Sequence, residues 1–129
     1  MRDPTQWLQF HARQSPDRLF LETSDSRRLS YADMESLVEN LADVLLALNV
    51  DEGDRVVAQV EKSPEAIALY LACLDVGAVF VPLNTAYTLA ELEYFLGDAG
   101  PSLIIVGEVA ALAAADFSEE GQQPLAKVS

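Results

Sequence analysis

Apolar positions along this chain follow two rhythms. From Ser30 onward they recur at Met34, Leu37, Val38, Leu41, Leu45 and Leu48, one stripe of a 3.6-residue period that predicts a long amphipathic helix. Ser30 is a suitable N-cap with Asp33 three positions on, and Leu29 and Met34 take hydrophobic-staple positions. Asn49 can close the helix in the left-handed conformation that Gly would otherwise supply. Short unbroken apolar runs instead predict strands over 55–60 (RVVAQV), 78–83 and 103–106. Between them, Ser63-Pro64 opens a helix carrying Ile67, Tyr70, Leu71 and Leu74, and Gly77 ends it. Thr88-Leu89-Ala90-Glu91 reads as a capping box, with Tyr87 and Leu92 as its staple pair. The helix it opens buries Leu92, Phe95, Leu96 and Ala99 and stops at Gly100-Pro101. An Ala-rich helix follows over about 108–117.

Upstream, Asp3 caps a short opening helix with Pro4 at its first position and Gln6 reaching back; Ser15-Pro16-Asp17 ends it. Trp7 and Phe10 read as its inner face and His11 as a surface residue. Residues 19–23 predict a strand, with Asp25-Ser26 as the turn after it. From residue 55 the order is strand, helix, strand, helix, strand, helix. Apolar runs without alternation are expected where helices cover both faces of a parallel sheet. The fold class is therefore α/β: a mostly parallel sheet covered by helices, over residues 1–117, with a polar tail at 118–129.

With 129 residues, half of them hydrophobic, the chain can bury roughly two-thirds of its unfolded surface, enough for a real core. Net charge is −13, and no Lys or Arg occurs between Ser63 and Ala126. Such a surface repels phosphate backbones and anionic lipid, so neither nucleic acid nor membrane is an expected partner. The N-terminus lacks the apolar run of a signal peptide, and a cytoplasmic location is expected. Cys73 stands alone in an apolar helix, which excludes an internal disulfide and reads as a buried, inert thiol.

The chemistry-bearing residues are sparse. His11 is the only histidine, and no triad can be built around it. Glu91 and Glu93 point to different helix faces, and Glu119-Glu120 falls in the polar tail. No phosphate-binding loop pattern is present. No catalytic residue and no metal ligand is assigned. The loop 84–87 is the most plausible functional element, because it follows the C-terminal end of a parallel strand, where open α/β sheets place ligands. Pro82 lacks a ladder donor and marks where pairing loosens. Two readings stay open there: the N–H groups of the helix capped by Thr88 could meet an anion, or Thr88 satisfies them and the loop merely connects.

Gly77-Ala78-Val79-Phe80-Val81-Pro82-Leu83-Asn84 resembles the G-A-x-x-x-P-L-N block of acyl-CoA synthetases, members of the AMP-binding adenylate-forming enzymes. Leu29-Ser30-Tyr31, Gly53-Asp54-Arg55-Val56 and the helix after Thr88 are similar to further blocks of that family, in the same order. Asn84-Thr85-Ala86-Tyr87-Thr88 most resembles malonyl-CoA synthetases and near relatives. The resemblance implies the N-terminal fragment of an ATP-dependent acyl-CoA ligase, with ATP, Mg²⁺ and CoA as cofactors of the full-length enzyme and a place in fatty acid metabolism. It implies a small carboxylate as substrate and the remainder of the ligase polypeptide as partner. The family's nucleotide-binding and catalytic motifs are absent here, so the fragment itself is expected to be inactive and to bind none of these cofactors tightly. Asn84, Thr85 and Ala86 are the positions the resemblance places on the CoA side, although Thr85 and Ala86 carry no charge for a CoA phosphate. The alternative is a truncated homologue acting as a non-catalytic interaction module.

Overall fold

A computed structural model of the chain describes residues 4–88, 90, 91, 93, 94 and 103–114. Helix α1 (Pro4–Gln14) leads into a small antiparallel hairpin, β1 (Leu19–Glu22) with β2 (Arg28–Ser30). Then come α2 (Tyr31–Ala47), β3 (Arg55–Val60), α3 (Pro64–Val76), β4 (Val79–Pro82), β5 (Leu103–Gly107) and α4 (Val109–Ala114). Strands β4, β3 and β5 form a parallel sheet in that order, with β3 in the middle. The expected cap Asp3, the helix positions Leu89, Leu92, Phe95, Leu96 and Ala99, the stop Gly100-Pro101, and Phe117 with the tail 118–129 lie outside the described residues.

Local chemistry explains the element ends. The Ser30 hydroxyl accepts from the Asp33 N–H at 3.1 Å, while the Asp33 carboxylate accepts from the Ser30 N–H at 2.9 Å, a reciprocal box that fixes the start of α2. Asn49 leaves that helix at φ 65°. Ser63 accepts from the Ala66 N–H at 3.0 Å and Pro64 takes the first turn of α3. Gly77 ends α3 at φ 81°, a left-handed conformation that costs an L side chain energy. A Cβ there would also meet Glu52 Cγ at 2.9 Å. The close fit arises because the turn before β3 docks on this helix end, with the Gly53 N–H donating to the Gly77 carbonyl at 2.8 Å.

Strand β2 is not foreseen by the pattern, since three residues reading Arg-Leu-Ser carry too little alternation to register. It forms because the turn at Ser26 (φ 69°) reverses the chain onto β1. The hairpin is tied to the start of α3 by a two-pronged ion pair between the Arg27 guanidinium and the Glu65 carboxylate.

In register, Val56 lies beside Phe80 and Leu103, and Ala58 beside Pro82 and Ile105. This row joins Met34, Leu41, Leu45, Leu69, Val109 and Leu112 in one core, most of it fully buried. The helices α2, α3 and α4 thus gather on one face of the sheet. The alternate row, Val57 with Val81 and Ile104, points the other way. On that side Val57 is buried, whereas Val81 and Ile104 are half-buried and Val79 is exposed.

Two side-chain expectations are corrected. The inner face of α1 is Thr5, Leu8 and Ala12, at helical spacing. Trp7 and Phe10 turn outward, 40% and 48% exposed. The Trp7 ring lies 4.7 Å from His11 and 5.7 Å from Tyr31, so His11 is half-buried in an aromatic patch rather than at the open surface. On α3, Tyr70 packs edge-on against Phe80, as expected of a packing residue, while it and Ile67 remain nearly half exposed.

Candidate functional site

The three parallel strands end together at residues 58–60, 82–83 and 106–107, and the loop 84–87 folds over that edge. The Leu83 N–H donates to the Ala58 carbonyl at 2.8 Å, continuing the ladder one residue past Pro82. The Asn84 side-chain oxygen then accepts from the Ala86 N–H at 2.8 Å, and the Asn84 carbonyl accepts from the Tyr87 N–H at 3.1 Å. These bonds curl the loop back on Asn84.

Beyond the loop, the Thr88 hydroxyl accepts from the Glu91 N–H at 3.2 Å, and the Glu91 carboxylate accepts from the Thr88 N–H and hydroxyl at 3.1 and 2.9 Å. These bonds hold the Glu91 carboxyl below the ordinary carboxylate range. Two donors that an anion could use are therefore taken, and a negative charge already sits beside them. Of the two readings of this helix start, the structure favours the one in which Thr88 satisfies it.

A cleft of about 550 Å³ opens beside the loop, lined by Val60, Glu61 and Lys62 from the end of β3 and by Pro82, Leu83, Asn84 and Thr85. A smaller one of about 190 Å³ is bordered by Gln59, Glu61, Thr85, Val106 and Gly107. Asn84 and Thr85 are thus brought together at the sheet edge. Ala86 is exposed and lines neither cleft. The cation at this edge is Lys62, which stands on the neighbouring strand's exit rather than in the loop, and Glu61 beside it offsets its charge. The sequence signal was available, since Glu61-Lys62-Ser63 directly follows β3, but only the parallel pairing of β3 with β4 places it here.

A third, apolar groove of about 640 Å³ lies between the hairpin, α3 and β4, with Leu21, Ile67, Tyr70 and Phe80 on its walls. Cys73 is fully buried, and burial pushes its thiol up to about 12, so it is no nucleophile. Among the described residues, no group of three or more His, Cys, Asp or Glu could hold a metal ion. Nor is any helix among them long and apolar enough to cross a membrane. The side chains at the cleft therefore do not fit Mg²⁺ or a triphosphate. A single Lys with polar neighbours can at most meet one anionic or amide-bearing group.

Comparison with known proteins identifies relatives of the chain as a whole. The sequence profile of the AMP-binding enzyme family matches residues 8–128. The chain is 38% identical over 88 residues to the long-chain-fatty-acid–CoA ligase FadD13 of Mycobacterium tuberculosis, covering 68% of this chain and 18% of that ligase. Apo MatB from Rhodopseudomonas palustris superposes with a TM-score of 0.73 at 41% identity, covering 88% of this chain and 24% of that one. The N-terminal domain of FACL13 from M. tuberculosis superposes at 0.77 and 30% identity, covering 99% of this chain and 33% of that one. The chain thus spans about a fifth to a third of the length of these three proteins.

Proposed function

The chain belongs to the AMP-binding enzyme family, and from that premise we propose that it is the N-terminal part of an ATP-dependent acyl-CoA ligase. Such a ligase joins a carboxylate to CoA, converting ATP to AMP and pyrophosphate by way of an acyl-adenylate. The observation that carries this reading is the loop 84–87, placed by the P-L-N block at the C-terminal edge of a parallel sheet and bordering a cleft.

In this reading the chain's own part is to build a wall. The core of α2, α3 and β3 holds the sheet edge rigid, and Asn84 and Thr85 present a neutral, polar rim on the CoA side. Lys62 adds one cation there, and Ala86 contributes only its backbone. The nucleotide and Mg²⁺ fall to the remainder of the ligase polypeptide, a reading supported by the cleft's lining, where Lys62 stands beside Glu61 and no group of three or more His, Cys, Asp or Glu gathers among the described residues. The apolar groove at Ile67, Tyr70 and Phe80 is where that remainder docks. We propose malonate as the acyl group, on the resemblance of the sequence Asn-Thr-Ala-Tyr-Thr at 84–88, and a cytoplasmic setting.

The test is direct. Purified chain incubated with Mg-ATP, malonate and CoA is expected to release no pyrophosphate, and measured turnover would sink the division of labour. Reading the gene past codon 129 separates the ligase from a truncated interaction module. An in-frame Ser/Thr/Gly-rich loop ending in Lys supports the ligase, and a stop codon supports the module, which would use the same apolar groove.

A further inference from the structure

We propose that Gln59 is the positioning residue for the candidate binding loop, clamping both ends of 84–87 to the central strand. The proposal rests on reading that loop as the CoA-side wall. It names the group that gives the wall its shape.

Gln59 stands fifth in β3, after Arg55, Val56, Val57 and Ala58, on the row that faces away from the main core. It is only 8% exposed. Burying a carboxamide near the end of the central strand costs free energy unless its polar atoms are bonded. Here both Nε2 hydrogens are used: one goes to the Asn84 carbonyl at 2.9 Å and one to the Tyr87 carbonyl at 3.1 Å. The amide orientation follows from these partners, because the flipped form would set Oε1 against two carbonyl oxygens.

The two acceptors are the first and last residues of the loop. One rigid planar group on the sheet therefore fixes the distance between the loop's entrance and exit. The loop's internal bonds, both made to Asn84, set its curl but not its position over the sheet edge. Gln59 and Thr85 also border the same small cleft, so a shift of the loop changes that cleft directly. A hydrocarbon at position 59 would fill the same volume and leave the Tyr87 carbonyl without this donor.

The test compares the 129-residue chain with Gln59→Met, which keeps the length and removes the donors, and Gln59→Glu, which keeps the shape. Amide exchange is read as protection factors at Ala86 and Tyr87, with Val56 to Ala58 as the internal reference. Gln59→Met is expected to lower loop protection about tenfold while the strand reference stays within about twofold. Gln59→Glu is expected to behave like Met at pH 8, where its carboxylate has no hydrogen to donate. It should regain part of the protection in mild acid, where it donates one. Glu61 borders the same cleft and is present in every chain, so the native chain measured at the same two pH values provides the baseline.

Unchanged loop protection in both variants would overturn the proposal, and so would a loss spread evenly over loop and strand. If the Met variant does not fold, the pH profile of the Glu variant decides alone. None of these measurements uses a nucleotide or an acyl substrate. A failure of the ligase reading therefore shows elsewhere, as pyrophosphate turnover by the chain alone, and is not confused with failure of the clamp.

Discussion

Helices α2 and α3 pack side by side on the same face of the sheet, yet their outer faces differ. Helix α2 turns Met34, Val38, Leu41 and Leu45 inward and shows Ser36, Glu39, Asn40 and Asp43 to water, with Leu46 the one large apolar side chain outside. Helix α3 buries Ala68, Leu69, Ala72 and Cys73 in the same core but shows Ile67 and Tyr70, each nearly half exposed. A helix apolar almost all round is suited to burial on every side. Together with Leu21 and Phe80, the outer side of α3 makes a continuous apolar groove rather than scattered single residues. The α2 side is finished against water, and the α3 side is the one that the proposed function assigns to the remainder of the polypeptide. That asymmetry fits a chain spanning about a fifth to a third of the ligase and the two solved structures compared above.

The comparison can be attacked first at the core that the two helices share. Leu45→Ala and Leu69→Ala remove fully buried side chains and should each cost about 3 kcal/mol in urea unfolding. A much smaller loss at Leu69 would mean that α3 is poorly seated. Next comes the end of α3. Gly77→Ala puts a side chain at φ 81° and should cost about 1–2 kcal/mol, read as a lower urea midpoint with an unchanged slope.

The Arg27–Glu65 pair is the third handle. The Arg27 guanidinium, through its hydrogen bonds, holds the Glu65 carboxyl below its ordinary value, against a desolvation that opposes it. A depressed folded pKa means that the unfolded chain binds protons more readily. Stability from this contact is therefore complete above the usual glutamate range near ~4.3 and is lost as pH falls through the lower folded value. The native chain should lose more stability than Glu65→Gln between neutral pH and the acid side of that range. Arg27 is about half exposed, with 47% of its side chain open to solvent, so the neutral-pH cost of Glu65→Gln should be about 1 kcal/mol. Parallel pH profiles for the two chains would contradict the assignment. The smallest effects belong to the outer faces: Ile67→Lys, Tyr70→Lys and Leu46→Lys should each change the isolated chain's stability by no more than about 0.5 kcal/mol.

Much of this architecture is legible in the sequence because caps are local chemistry. Ser30 with Asp33, Ser63 with Pro64, Thr88 with Glu91, Asn49 and Gly77 do in the structure what their types and spacing announce. The apolar runs likewise locate β3, β4 and β5 to within a residue or so. Less legible is whatever depends on which way a side chain turns and what lies across from it. Trp7 and Phe10 are apolar and read as the inner face of α1, whereas the packing leaves them on the outside. Gln59 looks like an interruption in an apolar strand until the loop's two carbonyls appear opposite its amide. Lys62 carries no assigned role in the sequence until parallel pairing sets it beside Asn84 and Thr85.

The most direct test of the account places the outer-face substitutions in a ligase polypeptide that carries this chain and measures acyl-CoA formation. The account predicts that Ile67→Lys with Tyr70→Lys abolishes product, although the isolated chain tolerates both, while Leu46→Lys leaves activity unchanged. Full activity in the doubly substituted enzyme would contradict it.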